Sequence, residues 1–206
     1  MFNGRYQTLV GQQRSIELAD GSSIQMNTDN QVQVAYSSDA RTIRLLRGEA
    51  LFSVMPDPQR PIEVFAADRV VRAVGTAFDV HLDGSTVDVT VTKGMVDVAE
   101  VSHEHTAAVA QRRKPSKGKD EPSRSALRRL KAGEMTSVGS GSDHIEVKQL
   151  AEPETQREMA WQEGYLAFSG QPLSEVIEHR YSPVTLELGD PALASVAIGG
   201  ISGLGT

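Results

Sequence analysis

The chain contains no cysteine. Disulfides, thiolate metal sites, iron–sulfur clusters and cysteine nucleophiles are thereby excluded. The compartment stays open, because reducing and oxidising surroundings both tolerate a cysteine-free protein. Aromatic residues are scarce, 5% of 206 residues with a single tryptophan. Long apolar runs are missing too: Leu45-Leu46 and Ala50-Leu51-Phe52 fall far short of the roughly 20 residues a spanning helix needs. Met1-Phe2-Asn3-Gly4-Arg5-Tyr6 lacks the basic start and apolar stretch of a secretory leader. The expectation is a cytosolic chain or a soluble piece of something larger. Positive charge is in deficit, 21 Lys+Arg against 27 Asp+Glu, which disfavours a globally basic nucleic-acid binder. What remains, 39% hydrophobic and 23% charged, is enough for one packed domain plus a small second module.

Residues 14–101 alternate with a period of two. Ser15-Ile16-Glu17-Leu18 leads through Asp20-Gly21 into Ser23-Ile24-Gln25-Met26, and Gln31 to Tyr36 continues the pattern. Asp83-Gly84 separates Phe78–Leu82 from Thr86–Thr92. Asp-Gly between alternating segments predicts tight hairpins with positive φ at both central positions. Val87, Val89 and Val91 point one way and Asp88, Thr90 and Thr92 the other, which predicts antiparallel strands with one buried and one wet face. Ile16, Leu18, Ile24, Met26 and Val34 are expected inside. Met95 to Val101, Gly133 to Val138 and His144 to Val147 are strand-like as well. The fold class predicted is mainly β, an antiparallel sandwich- or solenoid-like domain over residues 10–150.

A basic stretch, about 103–129, interrupts that domain. From Gln111 to Lys131 nine Lys/Arg face two acidic residues, a net of +7 that leaves −13 for the rest of the chain. Pro115, Gly118 and Pro122 break any regular structure, and the expectation is a solvated, disordered insert between two strands. Nucleic-acid or lipid-headgroup binding and docking onto an acidic surface are alternatives, but no aromatic residue interleaves the charges to stack on bases. His103-Glu104-His105 is the one histidine cluster, without a third ligand nearby in sequence, so no metal or other cofactor is expected.

After Leu150 the composition changes. Ala151 to Trp161 is acidic and helix-friendly, with Pro153 suited to a first turn. Tyr165–Phe168 resembles a short strand. Pro172 to Tyr181 predicts a helix with Leu173, Val176, Ile177 and Tyr181 on one face. Val184–Leu188 and Val196–Ile201 predict two further strands, giving a partial β-α-β-β module over residues 151–206. Trp161, Tyr165 and Phe168 are either a mini-core against that helix or a partner-facing surface. No nucleophile elbow or helix-capped phosphate loop is present, so catalysis on an external substrate has no specific support.

Several short motifs occur in a fixed order: Leu18-Ala19-Asp20-Gly21-Ser22, Leu46-Arg47-Gly48-Glu49-Ala50-Leu51-Phe52-Ser53-Val54, Arg60-Pro61-Ile62-Glu63-Val64, Gly75-Thr76-Ala77-Phe78-Asp79-Val80, Gly94-Met95-Val96-Asp97-Val98 and Leu130-Lys131-Ala132-Gly133. Together they resemble the FecR family of cell-surface signalling proteins, with Ile62 replacing the usual aromatic after Arg-Pro. Trp161-Gln162-Glu163-Gly164-Tyr165-Leu166-Ala167-Phe168 with Pro172-Leu173-Ser174-Glu175-Val176 is similar to the segment that opens that family's secretin/TonB short N-terminal-like module.

The resemblance implies the periplasmic part of an inner-membrane regulator, not an enzyme. It implies two partners: the N-terminal signalling domain of a TonB-dependent outer-membrane transporter, and an ECF-type sigma factor. The sigma factor would be bound by the family's cytoplasmic segment; that segment, the family's single membrane helix and the second half of the module are expected to be missing from these 206 residues. Partner contacts are expected at Trp161, Tyr165, Leu166, Phe168, Leu173, Val176, Ile177 and Ile198. Some members of the family cleave themselves between Gly and Thr, which points to Gly75-Thr76. A bulge between Val74 and Phe78, with threonine at a strand position, accounts for the same residues. A small carbohydrate-binding or enzymatic β-sandwich is the alternative reading.

Overall fold

The computed structural model describes residues 2–101, 127–142, 144–163, 165–172, 190 and 193–203. The strands are β1 (Phe2–Gln7), β2 (Arg14–Glu17), β3 (Ser23–Met26), β4 (Gln31–Tyr36), β5 (Arg41–Ser53), β6 (Ile62–Ala66), β7 (Arg69–Ala73), β8 (Ala77–Asp83), β9 (Thr86–Lys93) and β10 (Met95–Glu100). After the basic stretch follow β11 (Arg128–Lys131), β12 (Glu134–Gly139) and β13 (Lys148–Gln149). A helix, α1 (Glu152–Glu158), and a 3-10 turn, Ala160–Glu163, lead to β14 (Tyr165–Pro172) and β15 (Ala197–Gly203). Among the described residues the first thirteen strands join one mixed, curled sheet, and β14 pairs antiparallel with β15.

The long strand β5 makes the curl. Its first half pairs with β4 and β6, its second half with β3 and β8. Gln31 faces Arg47 but Val32 faces Leu45, so Leu46 is an extra residue in the ladder. A bulge of this kind shifts the side-chain phase by one. Ile43 and Leu45 are buried before it, Ala50 and Phe52 after it. At Gly48, φ is +87°, and a Cβ there would lie 3.0–3.1 Å from Asn30 and Asp29. Only glycine allows this bend so close to a neighbouring chain. The two halves, β1-β4-β5-β6-β7-β10-β11 and β2-β3-β5-β8-β9-β12-β13, therefore close on one another around a shared core. Phe52 and Phe78 stack at its centre, 5.3 Å between ring centroids.

Ile16, Leu18, Ile24, Met26, Val34, Val87, Val89 and Val91 are all buried, as the alternation predicts. Six expectations change, the first being that His144–Val147 is not a strand and β13 begins only at Lys148. β1 carries no period-two signal, yet it pairs with β4 from Phe2↔Tyr36 to Gln7↔Gln31. β5 and β6 run parallel, joined by the loop 54–61 that crosses the end of the sandwich. Neither Asp-Gly turn has two positive φ values. In each turn only the glycine, Gly21 or Gly84, has a positive φ, because Gly84-Ser85 and the wider Leu18–Ser22 loop, with the Gly21 N–H donating to the Leu18 C=O at 3.0 Å, form the connections. β11 begins inside the basic stretch, and Arg129 pairs with Asp97 across the ladder at 2.7 Å. Pro172 ends β14 opposite Ala197 instead of opening a helix, a strand-end position that needs no N–H. The rest of the expected helix, 173–181, and the strand at 184–188 lie outside the described residues.

Candidate functional site

The Gly75-Thr76 pair sits in the connection between β7 and β8. Gly75 has φ +70°, and a Cβ on it would come within 2.9 Å of the Pro56 ring. Thr76 follows, 4% exposed, with its carbonyl accepting the Val54 N–H at 2.8 Å. A Cβ on Gly94 would meet Thr76 Cγ2 at 2.9 Å, so Gly94 also has to be small. Thr76 Oγ1 is buried and has no hydrogen-bond partner. A desolvated hydroxyl left unpaired is unfavourable, and such groups call for an explanation. Met55, Val74 and Met95 stand exposed near this corner of the chain.

The C-terminal aromatic group is divided. Trp161 is 3% exposed, seated against the sandwich by two glutamines: Gln13 Nε2 donates to Trp161 O at 2.6 Å and Gln25 Nε2 to Gln162 O at 3.2 Å. Tyr165, Leu166 and Phe168 lie on β14, opposite Gly203, Ser202 and Gly200, and Ile198 on β15 faces Gln171. Leu173, Val176 and Ile177 lie outside the described residues. α1 opens as the sequence suggests, with Pro153 in its first turn and the Ala151 N–H donating to Glu154 Oε2 at 2.8 Å.

The segment 152–163 covers a face that the alternation predicts to be wet. Across it, Leu51, Asp79, Thr90 and Met135 form one register row, and Glu49, His81, Asp88 and Ser137 the next. Glu49, Asp79 and Thr90 are 7%, 3% and 4% exposed. Glu49 accepts from Asn27 Nδ2 at 2.7 Å, and its backbone carbonyl accepts from Asn30 Nδ2. The Asp79 carboxyl hydrogen-bonds that of Glu49, while Asp79 Oδ1 is buried without a partner. Burial first, then Glu49, then Glu158 of α1 push Asp79 well above the usual carboxylate range. Glu158 is raised as well, by desolvation and then by Glu49 and Asp88, although its outer side stays exposed and solvent screens part of the effect. Asp88 goes the other way: burial opposes ionisation, but hydrogen bonds from His81 and Ser137 outweigh it. His81 Nδ1 stands 3.6 Å from Asp88 Oδ2. No group of three or more His, Asp or Glu arranged to hold a metal ion occurs among the described residues.

Sequence reasoning missed this carboxyl pair. Glu49 and Asp79 stand inside two quoted motifs, but alternation reports which side a residue takes and not whether a later segment covers that side.

The fold is thus a curled β-sandwich with a helical strap leading to a small two-stranded sheet. Residues 4–97, just under half of the chain, match the family described as FecR protein. Among solved structures it is similar to a protein from Parabacteroides distasonis ATCC 8503 assigned as an anti-sigma factor: 22% identity over 100% of this chain and 86% of that one, TM-score 0.70. A second structure with the same assignment from the same organism gives 21% identity over 98% and 86%, TM-score 0.68. At that identity the likeness establishes the fold. Among curated proteins none matches the chain.

Proposed function

We propose that this chain is the periplasmic part of an inner-membrane signal transducer, an anti-sigma regulator. It relays ligand occupancy of a TonB-dependent outer-membrane transporter to a cytoplasmic ECF-type sigma factor. The observation that carries the reading is the FecR match over residues 4–97, with a fold shared with two proteins assigned as anti-sigma factors. The transporter's N-terminal signalling domain docks by strand addition on the β14–β15 pair, which has no further strand neighbour among the described residues. Tyr165, Leu166, Phe168 and Ile198 lie on those strands; Leu173, Val176 and Ile177, outside the described residues, are the further anchors of the same proposal.

Self-cleavage at Gly75-Thr76 belongs to this reading. Thr76 Oγ1 attacks the Gly75 carbonyl carbon, the C–N bond breaks, and the hydroxyl proton passes to the departing nitrogen. Water then hydrolyses the ester, leaving the Gly75 carboxylate and the Thr76 amine as new ends. The unpartnered hydroxyl and the left-handed Gly75 support it.

Immobilised signalling domain should retain the chain, and lose it after Ile198→Pro, while deletion of residues 111–124 leaves retention intact. Retention of the proline variant together with loss on deletion would replace strand addition by electrostatic docking through the basic stretch.

A further inference from the structure

We propose that the strap formed by α1 and the 3-10 turn is a pH-operated latch seated over the buried carboxyl pair Glu49 and Asp79, closed in acid and released toward alkali. The device is independent of which partner the chain serves.

The geometry sets the requirement. The two carboxyls share a face from which water is largely excluded, 7% and 3% exposed, and they hydrogen-bond each other. The Asn27 amide donates to the Glu49 carboxyl at 2.7 Å. With no proton, two buried charges sit in hydrogen-bond contact, and the spare Asp79 Oδ1 has no donor to turn to.

The groups facing the pair add to the repulsion. From β9 comes Asp88, kept ionised by His81 of β8 and Ser137 of β12. From the strap comes Glu158, with Arg157 beside it as the opposing charge. Gln25 of β3 contributes an uncharged amide to the strap's backbone. The sandwich cannot relieve the strain, because Asp79 and Glu49 lie between core-facing neighbours Phe78, Val80 and Ala50. The strap can. Its hold includes two glutamine side chains, the exposed Lys148–Glu154 pair and Trp161, whose indole Nε1 is itself buried without a partner. Lifting it rehydrates the carboxyls and carries Glu158 away.

The sign follows from the raised Asp79 and Glu158. Groups whose folded values lie above their unfolded ones stabilise docking fully below the unfolded value, and that stabilisation is lost as pH rises through the folded value. The latch is closed in acid and opens toward alkali.

Trp161 is the chain's one tryptophan, so its fluorescence reports docking directly. Acrylamide quenching of the full chain from about pH 5 to about pH 9, a span chosen around the usual histidine and raised-carboxylate range, should rise several-fold with a single midpoint. Asp79→Asn should remain shielded throughout, and Glu158→Gln should move the midpoint upward. His81→Gln should leave the transition in place, which separates the carboxyl pair from the neighbouring imidazole. Near-ultraviolet and far-ultraviolet circular dichroism at each pH confirm that the sandwich stays folded. Flat quenching in the wild type, an unchanged transition in Asp79→Asn, or its disappearance in His81→Gln would each overturn the latch.

Discussion

Arg41 is a large side chain with no exposed surface. It donates to Asp20 Oδ2 at 2.7 Å and to the backbone carbonyls of Met55 and Arg60, so one guanidinium ties the β2–β3 turn to the loop 54–60. Burial opposes ionisation of Asp20, but hydrogen bonds from Arg41 and Ser22 win and hold its carboxyl below the usual range. Asp20→Asn leaves a buried cation and should cost about 3 kcal/mol in urea unfolding. For the wild type, the contribution of this pair is present above the unfolded aspartate value and is lost as pH falls through the lowered one. Val89, with no exposed surface, gives a second test: Val89→Asp buries an unpaired charge in the core and should lower stability by about 3–5 kcal/mol. An unchanged melting temperature would refute the assignment of that face. Gly75→Ala meets both a left-handed φ and the Pro56 ring, and should cost about 2 kcal/mol by the same measurement. In the self-cleavage reading, mass spectrometry of purified protein should find fragments ending at Gly75 and beginning at Thr76, and Thr76→Ala should abolish them.

At the scale of elements, legibility depended on local causes. β8 and β9 are clear in the sequence because Phe78, Val80 and Leu82 alternate with Asp79, His81 and Asp83 and then Val87, Val89 and Val91 repeat the beat. β1 is not, because Phe2-Asn3-Gly4-Arg5-Tyr6-Gln7 owes its strand to the free edge of β4 and not to its own pattern. The β5 bend shows only as a change of hydrophobic phase around Leu46, and the parallel partnership with β6 leaves no local mark. The strap was visible as a helix, but not the surface it covers, since that surface is assembled from β3, β5, β8 and β9 far earlier in the chain. Its seating includes two side-chain hydrogen bonds from the sandwich. Replacing both Gln13 and Gln25 by alanine should weaken docking by about 1–2 kcal/mol and raise Trp161 quenching at every pH, with the melting of the sandwich nearly unchanged.

At the scale of the whole molecule, the sandwich is the part with the continuous buried core. Its core runs through both halves of the curled sheet, and its Gly75-Thr76 corner lies on a connection between strands. The strap joins it to the β14–β15 pair, the element offered for strand addition. The motifs from Leu18 to Gly133 carried the family and the sandwich. The covered carboxyl pair needed the fold, because its two members come from strands whose neighbours in space are not neighbours in sequence. The most direct measurement is backbone hydrogen exchange of the chain with and without a transporter signalling domain. The account expects new protection at residues 165–172 and 197–203, with the sandwich strands unchanged. Protection confined to the sandwich edges or to the basic stretch, with β14 and β15 unaffected, would contradict it.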